Sequence, residues 1–370
     1  MKKYVVSVAS IILFVILLEA CSHLLLWVET RNSSPLVIEV PPEEPLIKFI
    51  HEPYLHWKSK PFLQTPRFST NSLGYRGKEW QKQKPDNTLR IIMTGGSAAF
   101  GLGASSDDTT IQAYLATYLH DHLPSIRDIE HIEVLNMAQN GYTSSQELIQ
   151  WREIITLKPD IVIHYTGFND MYTGLLSRKA GWNHPFIFDY SFTTGERMQT
   201  IKTLFARELD VRLSKYSAFY RLIKTTMHVG KNEFNRETYT ESSDIARVFD
   251  TNIRLIQDLA TQEKIPTFIV LQPTLFTGNK TLTPHEIIRK QSLIAYVPGV
   301  DVYIPDVYSD LSDVLRKRIH MNIPYVKYID GTTFLDNFTD TVYFDWVHLF
   351  DNGYEIVAQK LGDAILNNLR

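Results

Sequence analysis

Ser97 stands in Thr94-Gly95-Gly96-Ser97-Ala98-Ala99-Phe100-Gly101, directly after a short apolar run. Asp345 and His348 stand three residues apart in Asp345-Trp346-Val347-His348. Between these blocks lie Asn136-Met137-Ala138-Gln139-Asn140-Gly141 and Gly167-Phe168-Asn169-Asp170. These residue types suit acyl transfer. Cleaving an ester through a serine needs an exposed hydroxyl, an imidazole to take its proton, a carboxylate to hold the imidazole, and donors for the oxyanion. Ser97, His348 and Asp345 are candidates for the first three roles. The N–H groups of Ser97 and Gly141 and the amide of Asn169 are candidates for the fourth.

Other readings of the same residues are weaker. A phosphate-binding loop needs Lys-Ser or Lys-Thr after its last glycine, whereas Leu102-Gly103 follows Gly101. A dinucleotide fingerprint needs Gly-x-Gly-x-x-Gly, which this loop lacks. Asp-x-x-His alone is commonly structural, and no third ligand stands nearby to suggest zinc. Asn-Gly and Asn-Asp are ordinary turn formers. The set gains its force from order and placement.

Placement follows from the elements. Residues 90–94, 134–136, 161–165, 267–271 and 325–329 are short apolar runs that predict strands, and 341–344 is strand-like. Helical spacing predicts helices near residues 111–119, 144–157, 246–262, 311–319 and 353–369. Apolar strands alternating with helices predict a mainly parallel five-stranded sheet in a three-layer α/β/α sandwich. In such sheets ligands gather at the carboxyl ends of strands, where every block above is expected. The stretch 171–243 interrupts the rhythm. Its aromatic residues Tyr172, Trp182, Phe186, Phe188, Tyr190 and Phe192 form either a lid beside the site or a satellite core.

The four blocks resemble the SGNH/GDSL hydrolase superfamily, whose pattern is Gly-Asp-Ser, Gly, Gly-x-Asn-Asp and Asp-x-x-His. The resemblance runs from about residue 90 to 370, outside the insertion. It implies a flavodoxin-like fold, Ser97 as nucleophile, Gly141 and Asn169 as oxyanion donors, Asp345 and His348 completing the triad, and no cofactor or metal. Two departures stand out. Gly96 replaces the usual Asp, and Ala138 occupies a position where glycine is frequent.

The N-terminal end bears on location. Lys2 and Lys3 precede an apolar run over residues 4–18 that resumes at 24–28, long enough together for a membrane helix. Glu29, Glu39, Glu43 and Glu44 follow, so the positive-inside rule predicts that the rest of the chain is exported. An uncleaved anchor is favoured over a lipoprotein box at Cys21 or a cleaved signal, because apolar residues continue past Cys21. Glu19 and His23 are read as polar side chains near the membrane interface. With one cysteine, no intrachain disulfide is possible. The expected organisation is an anchor or signal over 1–30, an extended stalk and N-terminal extension over 31–89, and the hydrolase domain over 90–370.

A formal net charge of −3 leaves no basic surplus for nucleic acid. The candidate triad points to an esterase, and the resemblance together with the predicted export implies that it acts on acylated, mainly O-acetylated, envelope or extracellular glycans. A glycan O-acyltransferase, a lipid esterase or thioesterase, and a non-catalytic glycan-binding protein are the alternatives.

Overall fold

The computed structural model describes residues 13–25, 49–123, 129–177, 213, 217–220, 223, 240–297 and 299–369. The chain divides into two units, one comprising residues 1–44 and 196–235, the other 45–195 and 236–370. In the first, residues 13–25 are helical. Glu19 accepts hydrogen bonds from Ser217 Oγ at 3.0 Å and from the N–H groups of Ala218 and Phe219, so it is more than an interfacial side chain. Among the described residues no helix is long and apolar enough to cross a membrane. The expected transmembrane helix is thus not found there. Residues 1–12 and 26–30 of it lie outside the described residues.

The second unit contains the five-stranded sheet. Its strands are β3 (Thr88–Gly95), β4 (His131–Asn136), β5 (Ile161–Thr166), β6 (Thr267–Leu271) and β7 (Val326–Asp330), in the order β4-β3-β5-β6-β7, every pair parallel. The three central strands β3, β5 and β6 are buried along their whole length, as strands covered on both faces must be. The helices are α1 (Ser97–Phe100), α2 (Ile111–His122), α3 (Ser144–Ile154), α4 (Phe168–Ser177), α5 (Ser242–Glu263), α6 (Pro284–Tyr296), α7 (Val300–Ile319) and α8 (Asp351–Leu369).

Right-handed crossovers decide which helix covers which face. The chain leaves β3 for β4 in one direction and then moves from β4 through β5, β6 and β7 in the other. Hence α2 lies on one face, and α3, α5 and α7 lie on the opposite one. The packing agrees: α8 returns to α2, while α5 packs against α3 and α7. The direction reverses at β3 and β5, so a crevice opens at their carboxyl ends. Gly95 and Tyr165 are in register there, which sets the ends of the two strands side by side.

Three details differ from the sequence expectations. Residues 341–344 form no strand of the sheet. Tyr343 bridges Leu349 instead, and the segment pairs with its own return leg through Phe344 N–H to His348 O at 2.8 Å. Helix α6 was not expected. Helix α7 begins at Val300 rather than near 311, with Pro305 inside it. A proline reads as a helix boundary, yet burial of Val300, Tyr303, Ile304, Val307 and Tyr308 overrides that local preference. Of the aromatic residues in the insertion, Tyr172 lies on α4 and stacks on Phe168 with ring centroids 5.7 Å apart. Trp182, Phe186, Phe188, Tyr190 and Phe192 lie outside the described residues.

From residue 49 the N-terminal extension is folded. Strands β1 (Phe49–Glu52) and β2 (His56–Ser59) form an antiparallel hairpin. Trp57 and Leu55 bury themselves with Tyr142 in a small apolar cluster.

Candidate active site

Ser97 follows the C-terminal end of β3 and opens α1, with Gly96 as its extended N-cap. The first N–H groups of a helix have no intrahelical acceptor, so the Ser97 N–H is available. Ala98, Ala99 and Phe100 are buried, which fixes the short helix while Ser97 stays partly exposed. Gly101 ends it in the left-handed conformation (φ 94°), and its carbonyl accepts from Arg76 Nη1 at 2.7 Å.

The turn between Tyr343 and Leu349 brings the other two side chains in. His348 Nε2 lies 2.7 Å from Ser97 Oγ, and His348 Nδ1 lies 2.6 Å from Asp345 Oδ2. Asp345 Oδ1 accepts from the N–H groups of Val347 and His348 at 2.9 and 2.8 Å. The carboxylate can only accept, so Nδ1 carries the proton and Nε2 is left to accept from the serine. Burial alone would raise the Asp345 carboxyl, but His348 and those two N–H groups outweigh it and hold it below the usual carboxylate range.

The turn itself hangs on Glu286, the N3 residue of α6. Its Oε1 accepts from Val342 N–H at 3.0 Å and Tyr343 N–H at 3.1 Å. Its Oε2 accepts from Thr283 N–H at 2.9 Å and Lys280 Nζ at 2.8 Å. Burial would raise this carboxyl too, but the ammonium and the three N–H groups hold it low.

Asn169 lies at the start of α4, after β5, and its Nδ2 donates to Tyr142 O at 2.7 Å. A Cβ at Gly96 would collide with that same nitrogen, so the amide lies directly over the residue preceding the nucleophile. The absence of a side chain at Gly96 leaves this space. Gly141 has φ +82°, and a Cβ there would meet the ring of Trp57 at 3.3 Å. The structure thus joins Ser97, His348 and Asp345 in one hydrogen-bonded line. Asn169 sits against the loop that bears the serine, and Gly141 precedes the carbonyl that Asn169 bonds.

No family model matches the chain, and no curated protein does. Among solved structures it is similar to an acetylxylan esterase from Geobacillus stearothermophilus. That match has 14% identity over 75% of this chain and 94% of the other, with a TM-score of 0.38. A GDSL-like lipase from Bacteroides thetaiotaomicron matches at 13% identity over 76% and 89%, with a TM-score of 0.36. In its four sequence blocks this chain resembles the SGNH/GDSL hydrolases.

Beneath these four blocks lies a buried polar layer that was not expected from the sequence. Trp151 Nε1 donates to His164 Nε2 at 3.1 Å, which leaves the imidazole proton on Nδ1, 2.9 Å from Glu147 Oε2. Thr94 Oγ1 donates to the same Glu147 oxygen at 2.8 Å. Three residues before Ser97, β3 is thereby tied to β5 and α3. Asp170, next to Asn169, accepts from Ser144 N–H at 3.0 Å and Ser144 Oγ at 2.5 Å, joining the first turn of α4 to that of α3. Its carboxyl is pushed up to about 7, mainly by burial and further by the Glu147 charge, against the two Ser144 bonds.

Glu286 had a legible signal. Thr283-Pro284-His285-Glu286 is a capping box with proline at N1. Its second task, holding Val342 and Tyr343, has no local signature.

Proposed function

We propose that this chain is an exported serine esterase, held at the membrane by its N-terminal segment, that removes O-acetyl groups from envelope or extracellular glycans. The observation that carries the hydrolase reading is the line from Ser97 Oγ through His348 to Asp345. Ser97 Oγ attacks the acyl carbonyl while its proton passes to His348 Nε2. Asp345 holds the Nδ1 proton and offsets the imidazolium charge. The N–H groups of Ser97 and Gly141 and the Asn169 amide receive the oxyanion. The tetrahedral species collapses as His348 returns the proton to the departing sugar oxygen, leaving acyl-Ser97. Water then repeats the sequence, releasing acetate and restoring the serine.

Export is supported by Lys2 and Lys3 ahead of the apolar run and the acidic residues after it. The glycan substrate rests on the family resemblance together with that location. The test is a panel of p-nitrophenyl acetate, butyrate and longer esters on the full-length chain in detergent, with fluorophosphonate labelling. Acetate should be preferred, and labelling should vanish in Ser97→Ala. Preference for long acyl chains would instead indicate a lipid esterase. Transfer to an added oligosaccharide exceeding free acid release would indicate an O-acyltransferase.

A further inference from the structure

The loop 139–142 carries Gly141 and the carbonyl that holds Asn169, yet little of its support comes from the sheet. Gln139 is fully buried, and its side chain is spent on the N-terminal extension. Its Oε1 accepts from both Ser59 N–H and Ser59 Oγ at 2.8 Å, and its Nε2 donates to Gly74 O at 2.9 Å. Trp57 Nε1 donates to Asn140 O at 2.8 Å, and its ring closes over the bare Cα of Gly141. Tyr142 Oη donates back to Trp57 O at 2.5 Å, and the two rings meet edge to face at 5.7 Å. The peptide before Gly141, the ring above it and the side chain after it all belong to one contact. That contact fixes where the Gly141 N–H points and where Tyr142 O waits for Asn169 Nδ2.

We infer that Trp57 is a positioning residue for the oxyanion site, acting through Asn140, Gly141 and Tyr142 on the donors Gly141 and Asn169. The inference rests on the hydrolase reading above and extends the working site to a hairpin outside the sheet. A wholly scaffolding residue would change stability alone. A positioning residue changes turnover, and its effect depends on the donor it aims.

The experiment measures kcat, KM and Tm for p-nitrophenyl acetate on the full-length chain, for Trp57→Phe, Asn169→Ala and the double variant. Trp57→Phe keeps a ring over Gly141 and removes the Nε1 donor. It should lower kcat by about fivefold to tenfold, the scale of one lost buried hydrogen bond, with KM changed less than about twofold. Combined with Asn169→Ala, the loss should be clearly less than the product of the two single losses. Ser59→Ala, which removes one of the two Ser59 bonds to Gln139, is the milder second probe and should lower kcat in the same direction. Parent-like kcat in both Trp57→Phe and Ser59→Ala, or effects of Trp57→Phe and Asn169→Ala that multiply, would overturn the inference. A parent no faster than Ser97→Ala would defeat the hydrolase reading itself, a result distinct from either of those.

Discussion

Ser97 Oγ and His348 Nε2 lie 2.7 Å apart although 251 positions separate them in the chain. The distance is that of a hydroxyl donating to an imidazole, and the far side of the ring is held at 2.6 Å by Asp345. Ser97→Ala and His348→Ala should each abolish turnover of an activated acetyl ester, because such groups act as a unit. Asp345→Asn keeps the shape but favours the wrong tautomer, and should lower kcat about 10³–10⁴-fold. Steady-state rates of the purified variants check this. A Ser97→Ala rate equal to the parent's would refute the assignment.

Asn169 and Gly96 should be sensitive for one shared reason. Losing a single oxyanion donor typically lowers kcat about 10²–10³-fold, so Asn169→Ala should be crippled but measurable. Gly96→Ala puts a methyl group where Asn169 Nδ2 now lies. It should lose rate on a similar scale while leaving the triad residues in place. Comparing kcat for the two variants tests the idea. A Gly96→Ala enzyme as fast as the parent would mean that the amide moves aside without loss, whereas a parent-like Asn169→Ala would remove the amide from turnover.

The central architecture was legible because β3, β5 and β6 are buried on both faces and so read as unbroken apolar runs. The edge strand β4 starts with an exposed residue and only its last half, 134–136, reads as apolar, whereas edge strand β7 is shifted by one residue from the expected 325–329. Ser97, Asp345 and His348, which the structure joins by hydrogen bonds, and the candidate donors Gly141 and Asn169 stand out in the sequence because the proposed chemistry restricts residue type at short spacing. Their supports do not. Trp57, Gln139 and Glu286 act on partners 56 to 85 positions away. Local patterning carries no information on such contacts.

Glu286 links the triad turn to a buried cation. Lys280 and Glu286 side chains are 3% and 0% exposed, so removing the carboxylate charge strands an ammonium in the interior. Glu286→Gln should therefore destabilise the fold by about 3–5 kcal/mol. Pairing it with Lys280→Met should recover much of that loss. Because the folded-state carboxyl is held low, its contribution is present above the unfolded carboxylate pKa and fades as pH falls through the folded value. Thermal melts at pH 7 and pH 3 should thus show the parent's advantage over Glu286→Gln shrinking in acid. An advantage that is the same at both pH values would contradict the role assigned to the charge.

Asp170 works in the opposite sense. Its carboxyl rises from 3.8 to about 7 in the folded chain, so the folded state holds a proton that the unfolded state releases. That contribution is complete below about pH 4 and is lost as pH climbs through 7, a span worth on the order of 4 kcal/mol. Asp170→Asn imitates the protonated form at every pH and still accepts from Ser144. Against the parent it should gain stability between pH 4 and pH 7, most steeply around pH 5 to 6, and the gain should level off by about pH 8. Urea denaturation of both proteins at several pH values in that range measures the difference directly. If the gap between them stayed constant across the range, Asp170 would be ionised throughout, and Ser144 with Asn252, whose Nδ2 donates to Ser144 Oγ at 2.9 Å, would have to stabilise the charge more strongly than burial and Glu147 oppose it.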